Sequence, residues 1–186
     1  SDVSLTPYGE AQARLLAEAI FPLAPIAVYS SPLARARATA EAIVARAHGA
    51  VDVLPDLREQ SYGSWERMTA DEARQRDPKR FAAWSAGQRI SPPGGEALSA
   101  VRQRVVACVA ELAERHAGET VVLVAHVGPI KALLCTALGL PLSGARRFWI
   151  DPASYSIVDW RMTAEGEQRS MVRAVNVTSH LAGLAR

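Results

Sequence analysis

Thr120-Val-Val-Leu-Val-Ala-His126-Val-Gly128-Pro129-Ile-Lys-Ala-Leu-Leu134 is a β-branched apolar run that ends in a histidine. A glycine and a proline follow, then apolar residues at helical spacing. The pattern predicts a buried parallel strand, a tight turn carrying His126, and a helix that starts near Pro129, since proline suits the first helical position. In open α/β sheets, ligands sit beyond the carboxyl ends of the strands. His126 then stands at that rim, beside a helix N-terminus that favours anions. It reads as one wall of an anion site. A histidine at a strand end is also a common structural residue, so the rest of the chain has to decide.

Working outward, the chain alternates strands and helices. Thr6-Pro7 is an N-cap and first helical residue, and Ala11, Leu15, Leu16 and Ile20 repeat at helical spacing to about Phe21. Ile26 to Ser30 is a short apolar strand, Ser31-Pro32 opens a helix to about Ala47, and Ala50 to Leu54 is a third strand. Strand, helix, strand predicts right-handed crossovers and a largely parallel sheet. Pro55 to Arg67 mixes polar, glycine and aromatic residues without a period, as a site loop does. Thr69 to Glu72 is a capping box, and Asp77-Pro78 breaks the helix it opens. Phe81 and Trp84 read as apolar anchors of a short helix, or as contacts for part of a ligand; packing is the preferred reading. A long amphipathic helix follows the loop at Ser91 to Glu96, with Leu98, Val101, Val105, Val109 and Leu112 inward, closed near Gly118. Gly139 to Arg147 reads as a loop. Tyr155 to Trp160 and Ser170 to Val175 read as a hairpin turning near Gly166, and the tail as coil or a short helix.

The fold class is therefore α/β: a three-layer sandwich, with a mainly parallel doubly wound sheet, helices on both faces and a small capping insertion at 67–95. That insertion is too short to build its own core, so 1–186 is taken as a single domain. A formal net charge of +2 excludes the strong electrostatic footprint of a nucleic-acid binder. Cys108 and Cys135 lie in apolar helical stretches without metal-ligand spacing and read as buried free thiols. No apolar run is long enough to span a membrane and no secretory pattern is present, so the expected location is the cytoplasm.

Three polar residues share one property: each stands just beyond a predicted strand. Arg35 is in the first turn of its helix, Glu59 is in the aperiodic loop, and His126 ends the central strand. Parallel neighbouring strands would bring all three to one edge. An arginine at a helix start opposes the helix dipole. Arg35 makes better sense if an anion binds there, because a guanidinium fork matches phosphate oxygens. Glu59, an ordinary surface carboxylate on its own, could beside an anion be a proton donor whose pKa is raised by burial and by negative charge.

At this point the chain resembles the histidine phosphatase superfamily, the phosphoglycerate mutase-like proteins. Leu5-Thr6-Pro-Tyr-Gly9-Glu-Ala-Gln12-Ala13 is similar to its L-T-x-x-G-x-x-Q-A segment. Ser31-Pro-Leu33-Ala-Arg35-Ala36-Arg-Ala-Thr39-Ala40 is similar to S-x-L-x-R-A-x-x-T-A. Leu57-Arg-Glu59 with Tyr62-Gly63-Ser-Trp65-Glu66, Gly95-Glu96 with Arg104, and Val124-Ala-His126-Val-Gly128 follow in family order.

The resemblance implies a phosphatase of small-molecule phosphomonoesters that works through a phosphohistidine, with no cofactor and no metal. Arg35 and His126 would hold phosphate oxygens, together with Val127, Gly128 and Arg67 in substrate binding. Glu59 would be the general acid. The alternatives are phosphoglycerate mutase-type phosphotransfer, or a catalytically silent domain that binds a phosphorylated ligand. The expected partner is a small phosphate ester, with no nucleic acid and no membrane, and a homodimer through the late hairpin or the tail is left open. The family's nucleophilic Arg-His-Gly motif is absent from the sequence. His48, His116 and His180 are not substitutes for it, and the motif is expected upstream of Ser1; otherwise the chain as written cannot form the phosphoenzyme. Val127 and Arg67 stand where the family often has glycine, which affects the shape of the pocket.

Overall fold

A computed structural model describes residues 2–47, 49–88, 90–162 and 168–184. The first helix, α1 (Pro7–Ile20), begins where expected: the Thr6 hydroxyl accepts from the Gly9 amide at 3.2 Å, and Pro7 fills the first turn. Its stripe of Ala13, Leu16, Ala17 and Ile20 is buried. Strand β1 (Ala27–Ser30) leads into α2 (Ala34–Ala47), and β2 (Val51–Val53) follows. Helix α2 starts two residues later than the Ser31-Pro32 cue suggests. Ser31 to Leu33 form a turn in which the Leu33 amide donates to Ser31 Oγ at 3.3 Å.

Next come α3 (Ala70–Arg76) and α4 (Pro78–Ser85). The capping box forms: the Thr69 hydroxyl accepts from the Glu72 amide, and the Glu72 carboxylate accepts from the Thr69 amide. Asp77 ends α3 and caps α4. The long helix α5 (Leu98–Arg115) is followed by β3 (Val121–Val124) and α6 (Val127–Ala137). Residues 142–146, expected as loop, make one short 3₁₀ segment, and another lies at Ser179–Leu181 in the tail. Strands β4 (Tyr155–Met162) and β5 (Gln168–Val177) pair antiparallel as expected. The turn expected near Gly166 lies outside the described residues.

The parallel sheet has the order β2-β1-β3, with Val28 opposite both Val51 and Val122. Successive side chains on β1 face opposite ways. Val28 joins Leu16, Ala17, Ile20, Ala40 and Ile43 under α1 and α2. Tyr29 joins Leu57, Val101, Val105, Leu112 and Ala132 under α5 and α6. Helices thus cover both faces, as a parallel sheet requires. Val101 and Val105 are completely buried, each contributing about 1.5–3 kcal/mol of apolar transfer. In the hairpin, β4 lies near α5 and β5 near α6.

Trp65, Ala73 and Phe81 are buried together, with Tyr62, Met68 and Trp84 around them, so the insertion packs on two aromatic residues of the preceding loop. Among the described residues, no helix is long and apolar enough to cross a membrane.

Candidate active site

The carboxyl ends of the three parallel strands are stitched together by backbone bonds. The Ser31 amide donates to the Val124 carbonyl at 2.9 Å, and the Leu54 amide to the Ser30 carbonyl at 2.8 Å. The chain leaving each strand starts from a fixed point, and those three exits carry Arg35, Glu59 and His126.

His126 caps α6 in extended conformation and is 8% exposed. Helix α6 begins at Val127, so Pro129 is its third residue and not its first. This is tolerated because amides of the first turn have no partner within the helix. An Arg35 guanidinium nitrogen lies 3.2 Å from His126 Nδ1, and His126 Nε2 lies 2.7 Å from Ser31 Oγ. A guanidinium only donates. Nδ1 is therefore the bare, accepting nitrogen, and Nε2–H donates to Ser31. Burial, then the nearby Arg35 and Arg104, push the His126 pKa down to about 4, with Asp2 opposing. At neutral pH the ring is uncharged.

Glu59 follows a 3₁₀ turn at Pro55–Leu57, anchored by the completely buried Leu57. Its Oε1 accepts from the Gln60 amide at 2.7 Å and from the Gly128 amide at 3.1 Å. The second donor belongs to the first turn of α6, which ties Glu59 to the helix that His126 caps. Burial raises the carboxyl pKa above its ordinary value; the two amide bonds, Arg35 and Arg104 oppose that rise. A Cβ on Gly128 would stand 2.5 Å from Glu59 Oε1, so a larger residue there would push the carboxyl aside.

The Glu59 loop is locked from the side. Arg104 on α5 makes two bonds to the Glu96 carboxylate, at 2.8 and 2.9 Å, and also donates to the Asp56 carbonyl. Both side chains are largely buried, at 11% and 15% exposure. Gln60 donates to the Glu96 carbonyl at 2.7 Å, and the Glu96 amide donates to the Ser61 carbonyl at 2.8 Å. Loops 55–67 and 91–96 meet backbone to backbone here. A methyl on Gly63, whose φ is +53°, would run into the Pro93 carbonyl, and one on Gly95 would stand 2.6 Å from the Ser61 carbonyl.

In the cap, a cavity of about 250 Å³ is lined by Tyr62, Trp65, Glu66, Arg67, Phe81 and Trp84, among others; Arg35, Glu59 and His126 are not in its lining. Tyr62 lies close enough to Glu59 and Glu66 that they help burial push its pKa up to about 12. The backbone of Arg67 is left-handed, with φ +63°, a conformation that suits glycine better than arginine. Its side chain is exposed at the cavity. Arg146 holds the far wall: its guanidinium lies 4.6 Å from the Trp84 ring centroid and donates to the Trp84 carbonyl at 2.6 Å. A larger cavity, lined by Lys79, Arg80, Ile90, Ser91 and Ala97, contains none of the expected site residues.

The structure thus brings together Arg35, Glu59, His126 and Gly128. Val127, at 44% exposure, and Arg67 lie at the margin. Two participants were given no role from the sequence, although Ser31 opens the segment that carries Arg35. Ser31 reads as a helix opener, and Asp2 lies in an aperiodic start, yet Asp2 Oδ1 accepts from the Ala34 amide at 2.7 Å and so caps α2. Among the described residues, no group of three or more His, Cys, Asp and Glu side chains is gathered as a metal set.

A profile of the histidine phosphatase superfamily (branch 1) matches residues 1–173. Phosphoserine phosphatase 1 of Hydrogenobacter thermophilus is 33% identical over 181 residues, which cover 97% of this chain and 83% of that one. A bifunctional protein of Mycobacterium tuberculosis is 41% identical over 157 residues, 83% of this chain but only 42% of its own length. The solved structure of a mycobacterial glucosyl-3-phosphoglycerate phosphatase superposes with a TM-score of 0.86 at 29% identity, covering 96% of this chain and 90% of that one.

Proposed function

This chain belongs to the histidine phosphatase superfamily, and from that premise we propose that it hydrolyses small-molecule phosphomonoesters at the carboxyl edge of its sheet, through a phosphohistidine and without a metal. It is a phosphoric monoester hydrolase of the histidine phosphatase type. The observation that carries the assignment of roles is the convergence of Arg35, His126 and Glu59, the last two tied to the same first turn of α6.

Phosphoryl transfer needs positioning and charge stabilisation more than covalent help. Arg35 supplies a charged fork for two phosphate oxygens, and His126 and the start of α6 face the third. Glu59, whose hold on a proton is raised by burial and would be raised further by an arriving anion, gives that proton to the ester oxygen as the P–O bond breaks and the phosphoryl group passes to an imidazole. The resulting carboxylate then takes a proton from water as that water attacks phosphorus and the P–N bond breaks. Val127 and Arg67 bound the space for the alcohol part.

The attacking imidazole is none of the described histidines. His116 is bonded to Tyr29 Oη at 2.8 Å, and His180 lies 2.9 Å from the Ala153 carbonyl. Both nitrogens of His126 are engaged. The attacking group is taken to lie outside the described residues.

The test is to incubate the protein with phosphoserine, glucosyl-3-phosphoglycerate and phosphoglycerate. The expected result is free phosphate and an acid-labile phosphoprotein. Isomerised phosphoglycerate without free phosphate would instead make the chain a mutase. Phosphate binding with no release from any ester would make it a silent binder.

A further inference from the structure

Ser31 is completely buried, and its backbone is held on both sides. Its amide donates to the Val124 carbonyl at 2.9 Å, and its carbonyl accepts from Ser30 Oγ at 2.9 Å. Its hydroxyl oxygen accepts from the Leu33 amide at 3.3 Å and faces His126 Nε2 at 2.7 Å. A side chain fixed this way cannot follow His126 if the ring moves; it can only reverse the direction of its own hydrogen bond.

That reversal matters because of what an anion does to the other ring nitrogen. In the anion-free site, Nδ1 accepts from Arg35. Once a phosphate takes the Arg35 fork, Nδ1 faces anionic oxygen and is favourable only as N–H. A second proton on the ring would put an imidazolium beside Arg35 and Arg104 in a buried position, with Asp2 as the compensating charge. A hydroxyl both donates and accepts. We propose that Ser31 is the positioning residue of a tautomer switch: when phosphate displaces Arg35 from His126, the imidazole proton moves from Nε2 to Nδ1, and Ser31 turns from acceptor to donor. One proton leaves Nε2 to solvent and one arrives at Nδ1 from solvent. The ring stays neutral, and Ser31 keeps its own proton. The inference rests on the anion-site reading given above.

The experiment is nitrogen NMR of the imidazoles in histidine-labelled protein at neutral pH, without and with inorganic phosphate. Without phosphate, His126 should show the neutral Nε2–H form; with phosphate, it should show the neutral Nδ1–H form. Protonation of both nitrogens in the bound state, or an unchanged Nε2–H form with phosphate bound, would overturn the switch. If neither nitrogen responds and phosphate does not bind, the anion site fails and the switch with it. In Ser31→Ala, bound His126 should no longer be a neutral Nδ1–H species, because the buried bare Nε2 loses its donor. Ser31→Thr, which retains the hydroxyl, should restore that form. The neutral Nδ1–H form intact in phosphate-bound Ser31→Ala would overturn the role of Ser31.

Discussion

At the carboxyl edge of the sheet, Ser31, Gln60 and His126 are buried polar residues with their hydrogen bonds assigned, and glycines stand wherever two backbones must meet. In the cap a few ångströms on, Trp65, Phe81 and Trp84 meet at tilted or edge-on angles with centroids 5.7 Å apart, and Trp65 Nε1 is buried without a partner. A hydrogen-bonded edge fixes geometry because each bond has a direction, whereas apolar contact depends mainly on volume. The edge is therefore suited to the reaction common to all substrates, and the cap to the part that differs between them.

Glu59→Gln would break the edge most severely. Turnover of alkyl phosphates should fall about 10²–10⁴-fold, and that of nitrophenyl phosphate far less, since a good leaving group needs little protonation. Equal losses on both substrates would remove Glu59 from the acid role. Next comes Gly128→Ala, whose added carbon lies 2.5 Å from Glu59 Oε1. A carboxyl displaced by about an ångström should cost on the order of 10²-fold in kcat, with melting temperature little changed; unaltered kcat would show that Glu59 is not held through this turn.

The cap should respond differently. Trp84→Ala removes a half-buried ring that Arg146 covers. It should lower unfolding free energy in urea by roughly 2 kcal/mol, below the ~3–5 for a fully buried aromatic, and change KM between substrates while inhibition by inorganic phosphate stays constant. A parallel change in phosphate inhibition would erase the distinction between the two regions. The smallest effect is a pH slope. His126 is held near 4, against an ordinary value of 6.5. Between those values the unfolded chain binds more protons, so stability rises with pH across that window and is lost as pH falls through it. His126→Gln should flatten the slope of melting temperature against pH there; an unchanged slope would mean the ring is not buried neutral.

The edge was legible where local pattern and position coincide. A β-branched run followed by His126, Gly128 and Pro129 announced strand, turn and helix, and parallel-strand logic was enough to gather Arg35, Glu59 and His126. Ser31 stood in the segment that carries Arg35, but its role was not legible, because nothing in local spacing shows that it faces a histidine ninety-five positions away. The boundary of α6 was misplaced for a related reason: proline at the third helical position is as tolerable as at the first. Arg104 and Glu96 gave a motif without a role, since their ion pair matters only through the loop it pins. In the cap, Phe81 and Trp84 were readable as anchors, but the cavity beside them depends on distances no pattern encodes.

The pressed backbones at Gly63 and Gly95 have one more consequence. They bring the two feet of the cap to a single point, so everything between them leaves and returns through one closed handle. Lengthening such a handle is cheap, about 0.6 kcal/mol for each doubling of a flexible loop, and the clamp between the feet shields the edge from what happens along it. The excursion can be exchanged like an attachment on a tool whose working end is left untouched.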